Sequence, residues 1–409
     1  MALALRLVFC GLVVGWDRPP TGDEIDYHYL AVNLTEGNGY RLENNELTAR
    51  RPPLYPVFLA GLYAVFGPNT ALARVVQVLL GTLIVGMIFF AARRFFSERT
   101  AWIAATLAAL NPFLIFISAY LLTENMYMIL LLGPLFAVPA KPELIGSWRR
   151  AVLMGLLLGL ACLARPTAFF VALWIAGGAV LLGSGRFDKR LLLGGVLVAT
   201  VLLTLVPWTI RNRAAFDKTM VFTSHGGITF YQGNNPAVLE YPQYHGGVAP
   251  LYMLPGYDDL KTLKEIPKDE KARELGRKFL RENPGDIPVL VWRKFVRFWR
   301  FKSDVGLAGV KSGWWWSKES TLGKLASSLD IGFAYSVVVI PLFVIGLFLS
   351  LSSRRRWVFL IGLVALHTLV SLAFHGSLRM RIPIEPVIVM FAASAISDAA
   401  ARLRRSCSD

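Results

Sequence analysis

The chain has 409 residues, 55% of them hydrophobic and only 17% charged, with a formal net charge of +16 at pH 7. A soluble domain of this length needs more polar surface to cover its core, so the composition excludes a water-soluble enzyme. The basic residues come as short clusters between apolar runs, which argues against nucleic acid as a partner and for a protein anchored against anionic lipid.

Apolar runs lie at about 2–16, 70–92, 101–119, 124–140, 151–164, 167–184, 191–209, 328–351, 357–374 and 382–398. A bilayer-spanning helix takes about 20 residues. Lipid offers the backbone no hydrogen-bond partner, so the runs are predicted to be helices. The expected fold is an all-α polytopic membrane protein of about ten transmembrane helices with a small mixed extracytoplasmic domain. The first run is read as a span, because no small-residue cleavage site follows it and Trp16-Asp17-Arg18 comes directly after.

Basic clusters follow every second run: Arg93, Arg94 and Arg99, then Lys141, Arg149 and Arg150, then Arg186, Lys189 and Arg190. Arg354 to Arg356 follow the eighth run, and Arg402, Arg404 and Arg405 the tenth. The positive-inside rule places these loops and both termini in the cytoplasm. The chain then divides into an N-terminal membrane module at 1–210, with a first outer loop at 17–69, an outer segment at 211–326, and C-terminal helices with a tail at 327–409. Cys10 and Cys162 fall in apolar runs and Cys407 in the tail, which supports neither a disulfide framework nor a metal cluster.

The first outer loop opens Pro19-Pro20-Thr21-Gly22-Asp23-Glu24-Ile25-Asp26-Tyr27. Thr21 and Glu24 make a capping box, so a helix starts here. Three carboxylates within four residues exceed what a helix start requires. Asp23 and Asp26, three apart, share a face, and a carboxylate at a membrane surface is a candidate general base. The loop goes on to Arg50-Arg51-Pro52-Pro53-Leu54-Tyr55-Pro56, where two prolines stiffen a turn. Arg50, Arg51, Arg74, Arg379 and Arg381 all fall on the side where positive charge is sparse. Arginine grips phosphate with a bidentate fork, so a shared anion at this face is expected.

Further polar signals interrupt helix ends on the same side. They are Thr123-Glu124-Asn125, Arg165-Pro166-Thr167 and Pro207-Trp208-Thr209-Ile210-Arg211-Asn212. In the second segment, Asp286 to Lys302 reads as a basic amphipathic helix lying in the interface, and Trp314 to Trp316 as an interfacial belt. His225 and His245 lack a paired ligand and read as loop histidines. There is no phosphate-binding glycine loop and no nucleophile elbow, so a nucleotide-sugar site is unsupported.

Taken in order, these motifs resemble the GT-C superfamily of polyprenyl-phosphate-sugar-dependent transferases, and most closely its protein O-mannosyltransferase and lipid A aminoarabinose transferase group. Gly233-Asn234-Asn235-Pro236 and Arg379-Met380-Arg381-Ile382-Pro383 complete the series. The resemblance implies transfer, with inversion, of a sugar from a polyprenyl-phosphate donor to a lipid, glycan or protein acceptor. It implies Asp23 as the catalytic carboxylate, with Glu24 beside it, and Arg74 near the lipid phosphate. Arg51, Arg379 and Arg381 extend that phosphate role, and Asp26, Tyr27, Glu124 and Arg165 support it. No nucleotide or redox cofactor is needed. Some relatives bind a divalent metal at this face, and no clear ligand set for one stands in the sequence. The implied place is the outer face of a bacterial cytoplasmic (inner) membrane. Two rivals of other classes are a transporter or flippase of envelope precursors, which calls for polar groups at the bilayer midplane, and a non-catalytic scaffold.

Overall fold

The apolar runs of the sequence fold as helix over most of the residues that the computed structural model describes, 1–137, 145–301, 331–350 and 354–406. Helix α1 (Ala2–Phe9) passes into a single π turn, Cys10–Val14, and α2 (Asp23–Thr35) and α3 (Leu54–Phe66) build the first loop. Then come α4 (Thr70–Phe95), α5 (Glu98–Leu110), α6 (Pro112–Ile117), α7 (Glu124–Ala137), α8 (Trp148–Ala164), α9 (Ala168–Leu182) and α10 (Phe187–Phe216). The run at 101–119 is divided between α5 and α6 because Pro112 has no N–H to continue the ladder. Asn111 caps the new start, accepting from Phe113 N and Leu114 N at 2.9 and 3.1 Å.

Four helices, Thr70–Phe95, Phe187–Phe216, Ile331–Ser350 and Leu378–Leu403, are long and apolar enough to cross a membrane. Other apolar helices, among them Ala2–Val14, Glu124–Ala137, Ala168–Leu182 and Phe359–Ala373, are shorter. Where α8 meets α10, small residues let the backbones close. A Cβ at Gly155 would strike Leu197 O and Thr200, and one at Gly159 would strike Thr204. This glycine pair at a spacing of four is a frequent device for helix contact in lipid.

The second long segment folds as α11 (Gly226–Gly233), α12 (Ala237–Glu240), α13 (Tyr257–Thr262), α14 (Glu265–Glu282) and α15 (Ile287–Trp299). It has its own core, including Ile228, Tyr231, Leu260, Ala272, Phe279 and Leu290. The mixed composition expected for it is corrected: among the described residues it holds helices and no strand. The Trp314 to Trp316 belt lies outside the described residues. The chain closes with α16 (Ile331–Ser350), α17 (Arg354–Ala373), α18 (Leu378–Arg381) and α19 (Glu385–Ser406).

Helix α15 turns its charges inward. Lys294, 1% exposed, donates to Asn234 Oδ1 at 2.7 Å. Arg293 donates to Leu239 O, and Arg297 to Gln243 O and His245 O. Val289, Trp292, Phe295 and Val296 face outward, as an interfacial helix requires. The Gly233-Asn234 step is the latch between this segment and the bundle. Asn234 Nδ2 reaches Ala373 O at 3.0 Å, and a Cβ at Gly233 would fall on the Phe374 carbonyl.

Gly233→Ala is therefore expected to lower stability by about 1–3 kcal/mol, the usual effect of overpacking, seen as a lower thermal midpoint in detergent. Gly86→Ala, at a position with nothing within 4 Å of the added methyl, leaves that midpoint unchanged or raised.

Candidate active site

The polar ends of the helices meet at one end of the bundle. Asp23 stands at the N-terminus of α2, Arg51 three residues before α3, Glu124 at the start of α7, Arg165 between α8 and α9, and Arg379 in α18. Helices α4, α8, α10 and α17 each have one end here. Their opposite ends, some 17 to 30 residues away, carry Arg93 and Arg94, Arg149 and Arg150, Arg186 to Arg190, and Arg354. At about 1.5 Å per residue the two ends are some 25–45 Å apart. The structure thus separates the basic clusters from the motif residues.

Charge alternates through the site. Arg51 takes Asp26 Oδ2 through Nε at 2.9 Å and through an Nη at 2.8 Å, and reaches Asp23 Oδ1 with that same Nη. Arg379 pairs with Asp23 Oδ2 through one nitrogen and with Glu124 Oε1 through another. Arg165 also pairs with Glu124 Oε1 and donates to Thr123 Oγ1 at 3.2 Å. Tyr27 lies buried under the Arg51 guanidinium. Arg50, 3.7 Å from Asp26, leaves the group one positive charge in excess.

Burial differs along this row. Glu124 is 0% exposed and its Oε2 has no hydrogen-bond partner. Asp23 and Arg379 are 31% and 34% exposed, so they form the accessible part. Burial alone would raise the Asp23 carboxyl, but the charges and hydrogen bonds of Arg379 and Arg51 hold it well below the usual carboxylate range.

Three residues expected at this site belong elsewhere. Glu24, expected beside Asp23 as a second catalytic acid, is 1% exposed with both oxygens engaged. Oε2 takes Arg18, Thr21 N and Thr21 Oγ1, and Oε1 takes Leu121 N at 2.9 Å. Half of the expected capping box forms: Thr21 N donates to the Glu24 carboxylate, whereas Glu24 N bonds to Thr21 O rather than to the hydroxyl, so Glu24 is tied into the scaffold by its own contacts. Arg74 is fully buried against it, 3.8 Å from Oε1, and donates to Trp16 O at 2.6 Å. Arg381 is also buried and pairs with Glu385 at 2.9 Å. It donates to the Arg300 carbonyl just past the end of α15 and sits in a separate network with Asn111. The reason is common to all three: a charge a few residues deeper in an apolar bundle must find its own internal partner.

The remaining motifs brace the site. Arg211 donates to Thr48 O at 2.7 Å and to Tyr40 O at 3.2 Å, and its guanidinium lies over the rings of Tyr40 and Trp208. Tyr40 OH in turn donates to Arg51 O at 2.9 Å. His225 and His375, of which the sequence singled out only His225, and that as a loop residue, also lie at this end. Burial, then the charges of Arg50 and Arg51, lower His225 to about 3. Burial, then Lys294, Arg297 and Arg379, lower His375 to about 4. No spacing rule finds them, because their neighbours are up to 200 residues away. An open cleft of about 570 Å³ along α14, lined by Glu270, Arg273 and Arg277 among others, is a solvated charged face that includes none of these residues.

Residues 50–210 match the family of dolichyl-phosphate-mannose-protein mannosyltransferases. An archaeal oligosaccharyltransferase from Archaeoglobus fulgidus, in complex with an inhibitory peptide and a dolichol-phosphate, aligns over 100% of this chain and 50% of its own, at 16% identity and a TM-score of 0.54. Its apo form aligns over 100% and 51%, at 18% identity and a TM-score of 0.53. The family match covers less than half of this chain, and at these identities the likeness to the solved structures is one of fold. ArnT from Cupriavidus metallidurans, bound to undecaprenyl phosphate, shows a weaker likeness, with 98% of this chain and 77% of that one aligned at 14% identity and a TM-score of 0.43. The chain spans about half the length of the oligosaccharyltransferase structures it matches. No curated protein matches it in sequence. Neither the family match nor the fold supports the transporter or flippase alternative.

Removing the Glu24 carboxylate is expected to destabilise the fold by about 3–5 kcal/mol, because Arg18 and Arg74 lose a buried partner. Thermal unfolding of Glu24→Ala in detergent reads this. Asp23→Asn, at the accessible position, lowers the midpoint far less than Glu24→Ala, because Arg51 keeps Asp26 and Arg379 keeps Glu124 as partners.

Proposed function

We propose that the chain is a membrane glycosyltransferase that moves one sugar, with inversion, from a polyprenyl-phosphate donor to an acceptor hydroxyl. The observation that carries the reading is Asp23, part-exposed and held between Arg51 and Arg379 at the motif-bearing end of the bundle. With the positive-inside rule, this end faces out of a bacterial cytoplasmic membrane, the ten apolar runs are spans, and both termini are cytoplasmic.

In this scheme the donor phosphate enters among Arg379, Arg51 and Arg50 and competes with the carboxylates for their guanidinium groups. Arginines that leave Asp23 for phosphate raise the basicity of Asp23 at the moment it is needed. The acceptor hydroxyl oxygen bonds to the anomeric carbon, and the bond from that carbon to the phosphate oxygen breaks. Polyprenyl phosphate departs with the electron pair, and the hydroxyl proton passes to Asp23. Charge grows on the phosphate as the bond breaks, so Arg379 and Arg51 hold the transition state more tightly than the ground state. Glu124 and Arg165 fix Arg379 from behind, and Asp26 and Tyr27 do the same for Arg51. Arg74 and Arg381, each in its own network, serve the scaffold.

No nucleotide or redox group enters this scheme. Among the described residues no three His, Cys, Asp or Glu are grouped to hold a metal ion. Asp23, Asp26 and Glu124 are each matched to guanidinium groups. The acceptor is a lipid, a glycan or a protein, and membrane lipids surround the bundle.

The test uses the full chain in lipid nanodiscs with polyprenyl-phosphate sugars. Asp23→Asn is expected to reduce kcat by about a hundredfold or more, the usual range for a lost acid–base group. Equal transfer by mutant and wild type removes Asp23 from the mechanism. The depressed Asp23 carboxyl stays ionised in the free enzyme at working pH. Its contribution to kcat/KM is therefore present above the ordinary carboxylate range and is lost only as pH falls below about 4. An acid limb with a midpoint near pH 6 contradicts the assignment.

A further inference from the structure

Two acids of α14, one turn apart, hold both flanks of His225. Glu265 accepts from Ser224 Oγ, just before His225. Asp269 accepts from Ile228 N at 2.9 Å, three residues after it. Glu265 also grips the first loop, accepting from Thr48 Oγ1 at 2.6 Å and from Ala49 N at 2.7 Å, and Ser224 N donates to Ala49 O at 3.1 Å. One carboxylate therefore fixes the backbone immediately before Arg50-Arg51 and immediately before His225. The imidazole is half-buried, and among the described residues no hydrogen bond holds it. The charges acting on it are Arg50, Arg51 and Asp23. A side chain clamped on both sides, its ring nitrogens taken by no described protein group, next to the loop that carries Arg50 and Arg51, is arranged for a ligand.

We propose that His225 binds the acceptor, its imidazole hydrogen-bonding a hydroxyl-bearing acceptor beside Asp23, and that Glu265 is the positioning residue that sets His225 and Arg51 in register. The proposal rests on the transfer reading above. Chemistry distinguishes acceptor from donor here. The donor phosphate is an anion and is met by Arg51 and Arg379. A histidine kept neutral by burial and by those same cations adds nothing to phosphate binding, whereas it both donates to and accepts from a hydroxyl. It also arrives from the second segment, whereas Arg51 belongs to the first loop and Arg379 to the closing helices.

The experiment uses the full chain in nanodiscs, with polyprenyl-phosphate mannose as donor probe and a threonine-bearing peptide and an alkyl glycoside as acceptor probes. Transfer and hydrolysis of the donor by water are both followed. His225→Phe is expected to raise the acceptor KM about tenfold, the effect of one lost hydrogen bond. The donor KM and the rate of hydrolysis stay at wild-type values, and His225→Gln recovers part of the loss. Glu265→Gln raises the KM of donor and acceptor together, because it loosens both loops. An unchanged acceptor KM in His225→Phe, or equal rises for donor and acceptor in that variant, overturns the proposal. A wild type that neither transfers nor hydrolyses the donor overturns the transfer reading itself. Thermal midpoints confirm that each variant is folded.

Discussion

Charge at the end of an apolar bundle has to be paired, and the pairing of Asp23 with Arg51 and Arg379 is what the rest of this structure serves. An unpaired carboxylate or guanidinium at such a depth is held only at a cost of several kcal/mol. The chain meets this by alternating sign from Asp26 to Arg165 across five separate segments. Such a row is stable when empty and is also receptive. In the proposed scheme an incoming phosphate replaces Asp23 at Arg379 without leaving any arginine bare, since Glu124 stays on Arg379 and Asp26 on Arg51.

The surroundings can be read as means of holding that row. Glu24 locks the start of α2 to Arg18 and to the backbone at Leu121, which fixes Asp23 one residue earlier. Tyr40 and Arg211 hold the backbone on either side of Arg50 and Arg51. Arg381 and Glu385 anchor α18, and with it Arg379, while Arg381 also ties down the chain where α15 ends. The buried charges are thus close in sequence to the working ones and differ from them by depth.

That explains what the sequence could and could not disclose. Hydropathy located the helices, because lipid demands an apolar run of a certain length and little else. Alternation of basic loops identified the end at which the motifs gather, and the spacing of Asp23 and Asp26 put both on Arg51. Depth was not legible. Glu24 and Asp23 are adjacent, as Arg379 and Arg381 nearly are, and a rotation of about 100° per residue sends one outward and the other in. For α15, periodicity gave the right faces, but the inward turn of Lys294 depends on Asn234 and Ala373, which lie 60 and 79 residues away. His225 was missed as a site residue for the same reason, since Glu265 and Ala49 define its position from distant parts of the chain.

Arg379 is proposed to be a phosphate ligand, and Arg381, two residues on and buried against Glu385, is not. Binding of a short-chain polyprenyl phosphate to the purified chain in detergent, compared for wild type, Arg379→Gln and Arg381→Gln, tests it most directly. The account predicts affinity about tenfold or more weaker for Arg379→Gln, the value of one charge-assisted hydrogen bond, with Arg381→Gln less stable to heat but binding as wild type does. Wild-type affinity in Arg379→Gln, or a loss confined to Arg381→Gln, would contradict it.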